Sequence, residues 1–571
     1  MNRHLIFAVV ALAACGDNTQ PDNEFCDSWH QWGSDPSHSG RSCVSGQPLG
    51  REVASVGIDP FTVEEVADST GDLVIHYQAP LIDGDAVFMS NKGGTYTPCH
   101  RVKDTMTGTL TVPDCFESDE LYRLNTETWT ESRYEWQGDQ LVPMWTFTSD
   151  WKPEPGHFFE PVFQPALVDN FIAIPGEGGS LWELDATTGA VVRYIAPFQT
   201  NPDVYVAGAL AVHQGSVFYN AIHLDHNNPA HLAAEAWLVA VAPDGSTQTA
   251  SYADLVPGAP DGDASCSYSY TPQMYELGYP PMDADGNVLP APTGNCGRQM
   301  PMLNGAPAFA PNGTMFVATH AQYDEYYSYV VSINSDSLTT NWATSLRGLV
   351  ADGCDVTTAC SEGAPKGIDP TSGLMPAMMV DDDSSASPVA LPDGGVLYGS
   401  FSAYNGSRGH LLHFNASGAL LSTFDFGWDS TPAVLPDGSI IEKDNHYGTT
   451  PQGQDAGPYY VTKLNPELQP IWRFTSTDTQ SCSRAPDGTV SCVDDHPNGF
   501  EWCINAPAVD RDSVSYLNSE DGHLYAIDGD GNLRDWFFLG EAIGAAYTPV
   551  ALDHLGRVYA LNAGKLIVVG L

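Results

Sequence analysis

Three groups of side chains in this 571-residue chain have the types and spacing to do chemistry. The first is a run of three carboxylates, Asp381, Asp382 and Asp383, together with Asp494 and Asp495, which His496 follows. Hard carboxylate oxygens in such numbers are the ligands Ca²⁺ takes. If their loops meet beside the inner strands described below, they ring a channel mouth; the competing reading is solvated acidic loops in an acidic protein. The second group is His223, Asp225, His226 and His231, imidazoles and a carboxylate of the kind that ligate a transition metal. Their spacing matches no named site, and a polar surface loop shows the same composition. The third is a pair of DxDxN strings, Asp283-Asp285-Asn287 and Asp528-Asp530-Asn532. Each has Val288 or Leu533 where an EF-hand needs glycine, and neither has the bidentate glutamate at the twelfth position. The second string is read as a hairpin turn. The sequence contains no GxSxG elbow, no HExxH helix and no phosphate loop, so no catalytic residue is assigned.

The elements that must position these groups are short strands in a repeat. Asn505 to Phe538 holds four apolar runs separated by DRD, SEDG and DGDG, the pattern of four antiparallel strands joined by turns. The first run and its turn recur at Pro80, Pro165, Leu210, Pro307, Pro388, Pro432, Pro507 and Pro549, and fourth strands carry Trp145, Trp342, Trp472 and Trp536. A period of about 42 to 45 residues with four strands per copy predicts an all-β, eight-bladed β-propeller. The last copy stops at Leu571 without a fourth strand. The run Leu73 to Tyr77 is expected to supply it, closing the ring between the two ends of the chain and leaving no open edge.

Several intervals between copies are far longer than one blade. They hold the cysteine pairs Cys99 and Cys115, Cys266 and Cys296, Cys354 and Cys360, and Cys482 and Cys492, with Cys503 beside the last. Local disulfides are expected to staple these insertions. By strand parity the insertions follow either a fourth or a second strand, so all emerge on one face. The other face carries only tight turns such as LPDG, DATTG and NASG, and function is expected on the elaborated side.

Residues 1–14 read as a short export signal, too short to span a bilayer. Residues 15–69 read as a tether and loose cap clipped by Cys26 and Cys43, and residues 70–571 as the propeller. With 71 acidic against 22 basic residues the net charge is −49, which argues against nucleic acid and anionic membrane surfaces as partners. The number of cysteines suits an oxidising compartment.

Two resemblances follow. Leu12-Ala13-Ala14-Cys15 resembles the lipobox of bacterial lipoproteins, which implies lipidation at Cys15 and an outer-membrane anchor facing the periplasm or the exterior. Strings such as LWELDATTGAVVR at Leu181 and HLYAIDGDGNLRDW at His523 resemble the repeat of the quinoprotein alcohol dehydrogenase-like superfamily, over roughly Leu73 to Leu571. That superfamily includes dehydrogenases using pyrroloquinoline quinone (PQQ) with Ca²⁺, and non-catalytic lipoproteins, among them the propeller subunit of outer-membrane protein assembly. The dehydrogenases usually carry adjacent cysteines, and this chain has no Cys-Cys pair. The expectation is a non-catalytic envelope lipoprotein whose insertion face binds a protein, a glycan or another envelope component, with Ca²⁺ as a possible support. The alternatives are a quinone-dependent alcohol or sugar dehydrogenase with a degenerate site, and a scaffold for outer-membrane protein assembly.

Overall fold

The computed structural model describes residues 28–69, 73–96, 102–103, 110–111, 126–155, 159–199, 201–225, 233–267, 283–287, 293–347, 349, 378–402, 408–447, 456–543 and 548–571. The eight copies form eight antiparallel sheets of four strands, the fourth of them joined by an extra short strand, Gln299–Pro301, so the chain is an eight-bladed β-propeller. The innermost strands, most of them two or three residues long and largely buried, are Leu81–Asp83, Ala166–Val168, the longer Val204–His213, Ala308–Phe309, Val389–Ala390, Ala433–Val434, Ala508–Val509 and Ala551–Leu552, which begin blades one to eight. Fourth strands such as Leu533–Phe538 mix exposed and half-buried residues, because one side packs on the next blade and the other meets water.

The ring closes with a different strand from the one expected. Arg51–Gly57, not Leu73–Tyr77, is the fourth strand of blade eight, and it pairs antiparallel with Lys565–Gly570 from Arg51↔Gly570 to Gly57↔Lys565. Fourth strands face solvent, so REVASVG is adequate there. The apolar LVIHY run is instead buried: Ile75 bridges Glu160 in parallel, and the His76 N–H donates to the Glu160 carbonyl at 3.2 Å.

Nor are residues 28–47 a loose cap. This stretch runs around the inside of the ring and bonds to every blade in chain order. Trp29 exchanges both backbone hydrogen bonds with Ile82 of blade one at 2.8 Å. Leu167 of blade two donates its N–H to the His30 carbonyl at 2.8 Å, and Val212 of blade three donates to Gln31 Oε1 at 2.6 Å. Phe309, Ala390, Val434 and Val509 of blades four to seven donate to the carbonyls of Pro36, Ser37, Ser39 and Gly40 at 2.7 to 3.0 Å. Gln47 then donates to the Gly556 carbonyl of blade eight at 2.7 Å. All these contacts lie where the inner strands run into their first turns, on the face opposite the insertions. A buried inner edge without water needs partners for its N–H groups, and this circuit provides them one blade at a time. At its centre Trp32, 1% exposed, packs among Ala79, Ala209, Ala306 and Ala506, and its indole N–H reaches Thr431 Oγ1 at 3.3 Å.

Neighbouring blades are also clamped at the periphery. Trp145, Trp342 and Trp472 on fourth strands donate their indole N–H to the Ala186, Ala416 and Gly529 carbonyls in the next blade's last turn, each at 3.0 Å. The rings lie on Gly189, Gly418 and Gly531 of the same turns, where a Cβ would come within 2.6 to 2.8 Å of ring atoms and φ is +70° to +87°. The turns are pre-formed by Asp185, Asn415 and Asp528, whose Oδ1 atoms accept backbone N–H groups two to four residues ahead. Asp528-Asp530-Asn532 is thus the hairpin turn expected, and Asp283 caps a similar turn through the N–H groups of Asp285 and Asn287.

Because Trp32 fills the axis, Trp32→Ala leaves a cavity in contact with several blades and should cost about 3 to 5 kcal/mol. Exposed Leu421→Ala should change stability by less than about 0.5 kcal/mol. Urea denaturation of the two variants beside the parent protein checks both values.

Candidate functional site on the insertion face

The insertions leave the blades as parity requires. The hairpins Ser265–Ser267 with Thr293–Asn295, and Gln480–Arg484 with Val490–Asp494, follow fourth strands, whereas Val102–Lys103 with Leu110–Thr111 lies between second and third strands. Cys266–Cys296 and Cys482–Cys492 are disulfides within the first two. Cys43 is disulfide-bonded, while Cys26, Cys99, Cys115, Cys354 and Cys360 lie outside the described residues, as does Cys15. Cys503 is a free, buried thiol whose Sγ approaches Glu520 Oε1 at 3.1 Å, and burial pushes its pKa up.

The acidic groups singled out in the sequence do not converge. Asp382 Oδ1 meets His320 Nε2 at 2.9 Å beside the axis. Burial alone would lower the His320 pKa, but the Asp382 carboxylate overrides it and raises it to about 9, so this is an ion pair at neutral pH. Asp381 accepts from the Trp428 indole at 3.1 Å and from the Asp383 N–H at 3.0 Å. Asp494 and Asp495 belong to the outlying disulfide hairpin, where Thr479 bonds Asp494 and both Ser481 and His496 bond Asp495. In the third blade, His223 lies opposite Val204 and Glu235 near the end of a second strand. Asp225 follows it, and His226 and His231 lie outside the described residues.

What the structure does bring together over the axis is a set of buried titratable groups that no motif announces. The connection from blade one to blade two crosses this mouth: the Val162 N–H donates to Asn304 Oδ1 of blade four at 2.9 Å, and Phe159 packs on His76. Glu154 on the same connection is 2% exposed; burial and the nearby Asp382 charge push its carboxyl up to about 8. Glu131, held by Gln78, and Glu442, held by Ser430, are likewise raised by burial to about 8. A second buried cluster lies nearby. Lys92 Nζ sits 2.7 Å from both Glu65 and Glu160 and 3.3 Å from Asp59, with Glu127 also close, so an ammonium supplies the cation that these carboxylates need.

Farther out, between blades three and four, the face opens into a cavity of about 540 Å³. Asp261, Asp263, Asn295, Arg298 and Gln322 line it, and the exposed ring of Tyr323 stands at its side. Amide, carboxylate and guanidinium groups beside one aromatic face suit a polar ligand.

An eight-bladed ring with this repeat is the PQQ-type β-propeller fold. Among solved structures, the chain is similar to the quinohemoprotein alcohol dehydrogenase from Comamonas testosteroni, at 11% identity and TM-score 0.53 over 96% of this chain and 81% of that one. A europium-containing methanol dehydrogenase gives 11% identity and TM-score 0.48 over 94% of this chain and 90% of that one. BamB from Moraxella catarrhalis gives 10% identity and TM-score 0.39 over 77% and 88%. No family model and no curated protein matches the sequence.

A planar quinone on the axis would need a slot between the blades. Trp32 stands there among four alanines, Val162 crosses to Asn304 above it, and the sequence offers no adjacent cysteines to cover such a group. These residues do not fit the cofactor.

The three raised carboxyls make stability fall with pH. Each holds its proton in the folded state to about pH 8 but releases it near 4.5 when unfolded, so its contribution is complete below pH 4.5 and is lost as pH rises to about 8. Glu131→Gln and Glu442→Gln should each flatten the fall of melting temperature measured between pH 5 and 8. Unchanged slopes would show these carboxyls ionised in the fold.

Proposed function

We propose that this chain is a non-catalytic, lipid-anchored envelope propeller whose insertion face binds a polar envelope component, a glycan or a protein surface. The observation that carries the reading is the filled axis: Trp32 packs among Ala79, Ala209, Ala306 and Ala506 where a planar group on the axis would need a slot. The polar cavity beside Tyr323 supplies a recessed surface away from the axis. Orientation agrees with an anchor. The chain joins the inner circuit at Trp29 on the face opposite the insertions, so a lipid on Cys15 would hold the plain face to the membrane and turn the elaborated face away.

Two experiments test this. Cys15→Ala should move the protein from the membrane fraction to the soluble fraction of the envelope and abolish labelling by radioactive palmitate; retention of label would refute the anchor. The purified protein should be retained on immobilised envelope polysaccharide or protein fractions through the cavity, with Tyr323→Ala and Arg298→Ala each weakening retention at least tenfold. Equal retention would move the contact elsewhere. PQQ with Ca²⁺ should leave the melting temperature unchanged, whereas stabilisation together with dye-linked alcohol oxidation would overturn the non-catalytic reading.

A further inference from the structure

Blades six and seven meet at a second group of ligand atoms on the insertion face. Asp478 follows the outer strand Pro470–Phe474 of blade six, and Asp521 and His523 flank the turn between the second and third strands of blade seven. One nitrogen or oxygen from each lies within 4.8 Å of the others. His523 Nδ1 is 3.3 Å from Asp521 Oδ1 and 3.8 Å from Asp478 Oδ2.

These atoms are held in place by groups that leave them facing one another. Asp521 is fully buried; its Oδ2 accepts from Tyr525 Oη at 2.5 Å and from Ser476 Oγ at 3.2 Å, and its Oδ1 accepts the His523 backbone N–H at 2.9 Å. Asp478 Oδ1 accepts the Gln480 N–H at 3.0 Å, leaving Oδ2 toward the imidazole. The His523 ring is packed by Trp536, Phe538 and Tyr525, the residue is 8% exposed, and its buried Nδ1 has no hydrogen-bond partner. Among the described residues no lysine or arginine lies within ion-pair distance of Asp478 or Asp521. The contrast with Glu65, Glu127 and Glu160 is direct, since there Lys92 brings the cation.

We propose that Asp478, Asp521 and His523 bind a divalent transition-metal ion of the zinc class. Separations of 3.3 and 3.8 Å are long for hydrogen bonds to Nδ1. They are close to the spacing of about 3.3 Å between ligands around a tetrahedral ion bound at about 2.0 Å. One imidazole with two carboxylates suits zinc better than Ca²⁺, which takes six to eight oxygens. Tyr525 and Ser476 orient the Asp521 ligand, as outer partners do at metal sites. Asp478, partly exposed, leaves one side open to water for the fourth position and for exchange with solvent. The ion ties the root of the Cys482–Cys492 hairpin to blade seven, to which Arg484 and Ala542 already bond it through the Gly540 and Cys482 carbonyls.

The test uses the full purified chain, stripped with EDTA and titrated with ZnCl₂ by calorimetry and thermal melting. One equivalent should bind and raise the melting temperature. Asp478→Asn and His523→Gln should each weaken binding at least tenfold, with Asp478→Asn leaving the metal-free melting temperature unchanged. Binding that persists undiminished in Asp478→Asn would place zinc elsewhere, on His223 and its neighbours for example, and would overturn the assignment. Absence of binding would overturn the assignment, and tighter binding of Ca²⁺ than of Zn²⁺ would refute the ion class.

Discussion

The constraint on which this structure depends is the demand of buried backbone for hydrogen bonds. Eight inner strands converge on an axis from which water is excluded, and each presents an edge with no sheet neighbour. Residues 28–47 meet that demand with roughly one carbonyl or N–H per blade, and Trp32 fills the space that remains at the centre. An unpaired buried N–H costs about 1 to 3 kcal/mol, so leaving eight such edges unmet would be comparable with the whole stability of a domain. The tryptophan–glycine clamps join neighbouring blades and the pairing of Arg51–Gly57 with Lys565–Gly570 completes blade eight, whereas the inner circuit touches every blade.

Acidic composition shapes what lies around that frame. Buried and half-buried carboxyls reach neutrality by three routes. Glu131, Glu154 and Glu442 keep a proton; Glu65 and Glu160 share an ammonium; Asp382 pairs with an imidazolium. Asp553 follows the third pattern with a guanidinium, Arg557, which also stacks on Trp136. In a chain with only 22 basic residues, Lys92 is placed where several acids need it.

The blades were legible because their signals are local. A strand pair such as Ala433–Val434 and Ile440–Asp444 is written in one short string with its turn, and Asp185, Asn415 and Asp528 announce the outer turns by residue type. The closing strand was misassigned because REVASVG faces solvent and has little apolar pattern, while the more hydrophobic LVIHY is buried for another reason. The inner circuit was invisible because it acts mostly through backbone: a stretch rich in glycine and serine has no period when each blade takes only one or two of its peptide groups, or, at blade three, the Gln31 side-chain amide. Asp478, Asp521 and His523 escaped notice for a related cause, since turns of two different blades bring them together. Asp381 to Asp383 had the opposite history, being conspicuous in sequence yet dispersed among Trp428, His320 and backbone partners.

The inner circuit also imposes an order of assembly. Trp32 meets Thr431 at a sequence separation of 399, and Gln47 reaches Leu555 at 508, so residues synthesised before all eight blades are among the last to find their places. Blades can form one after another, each from neighbouring sequence, while the leading segment waits for a cradle that exists only when the final residues have emerged. The circuit therefore closes only once blade eight has been made, and closing such long loops carries a large entropic cost. Once closed, the same arrangement works in reverse: a protease or an unfolding force acting on one blade must break a ring and a circuit together before the chain can come apart.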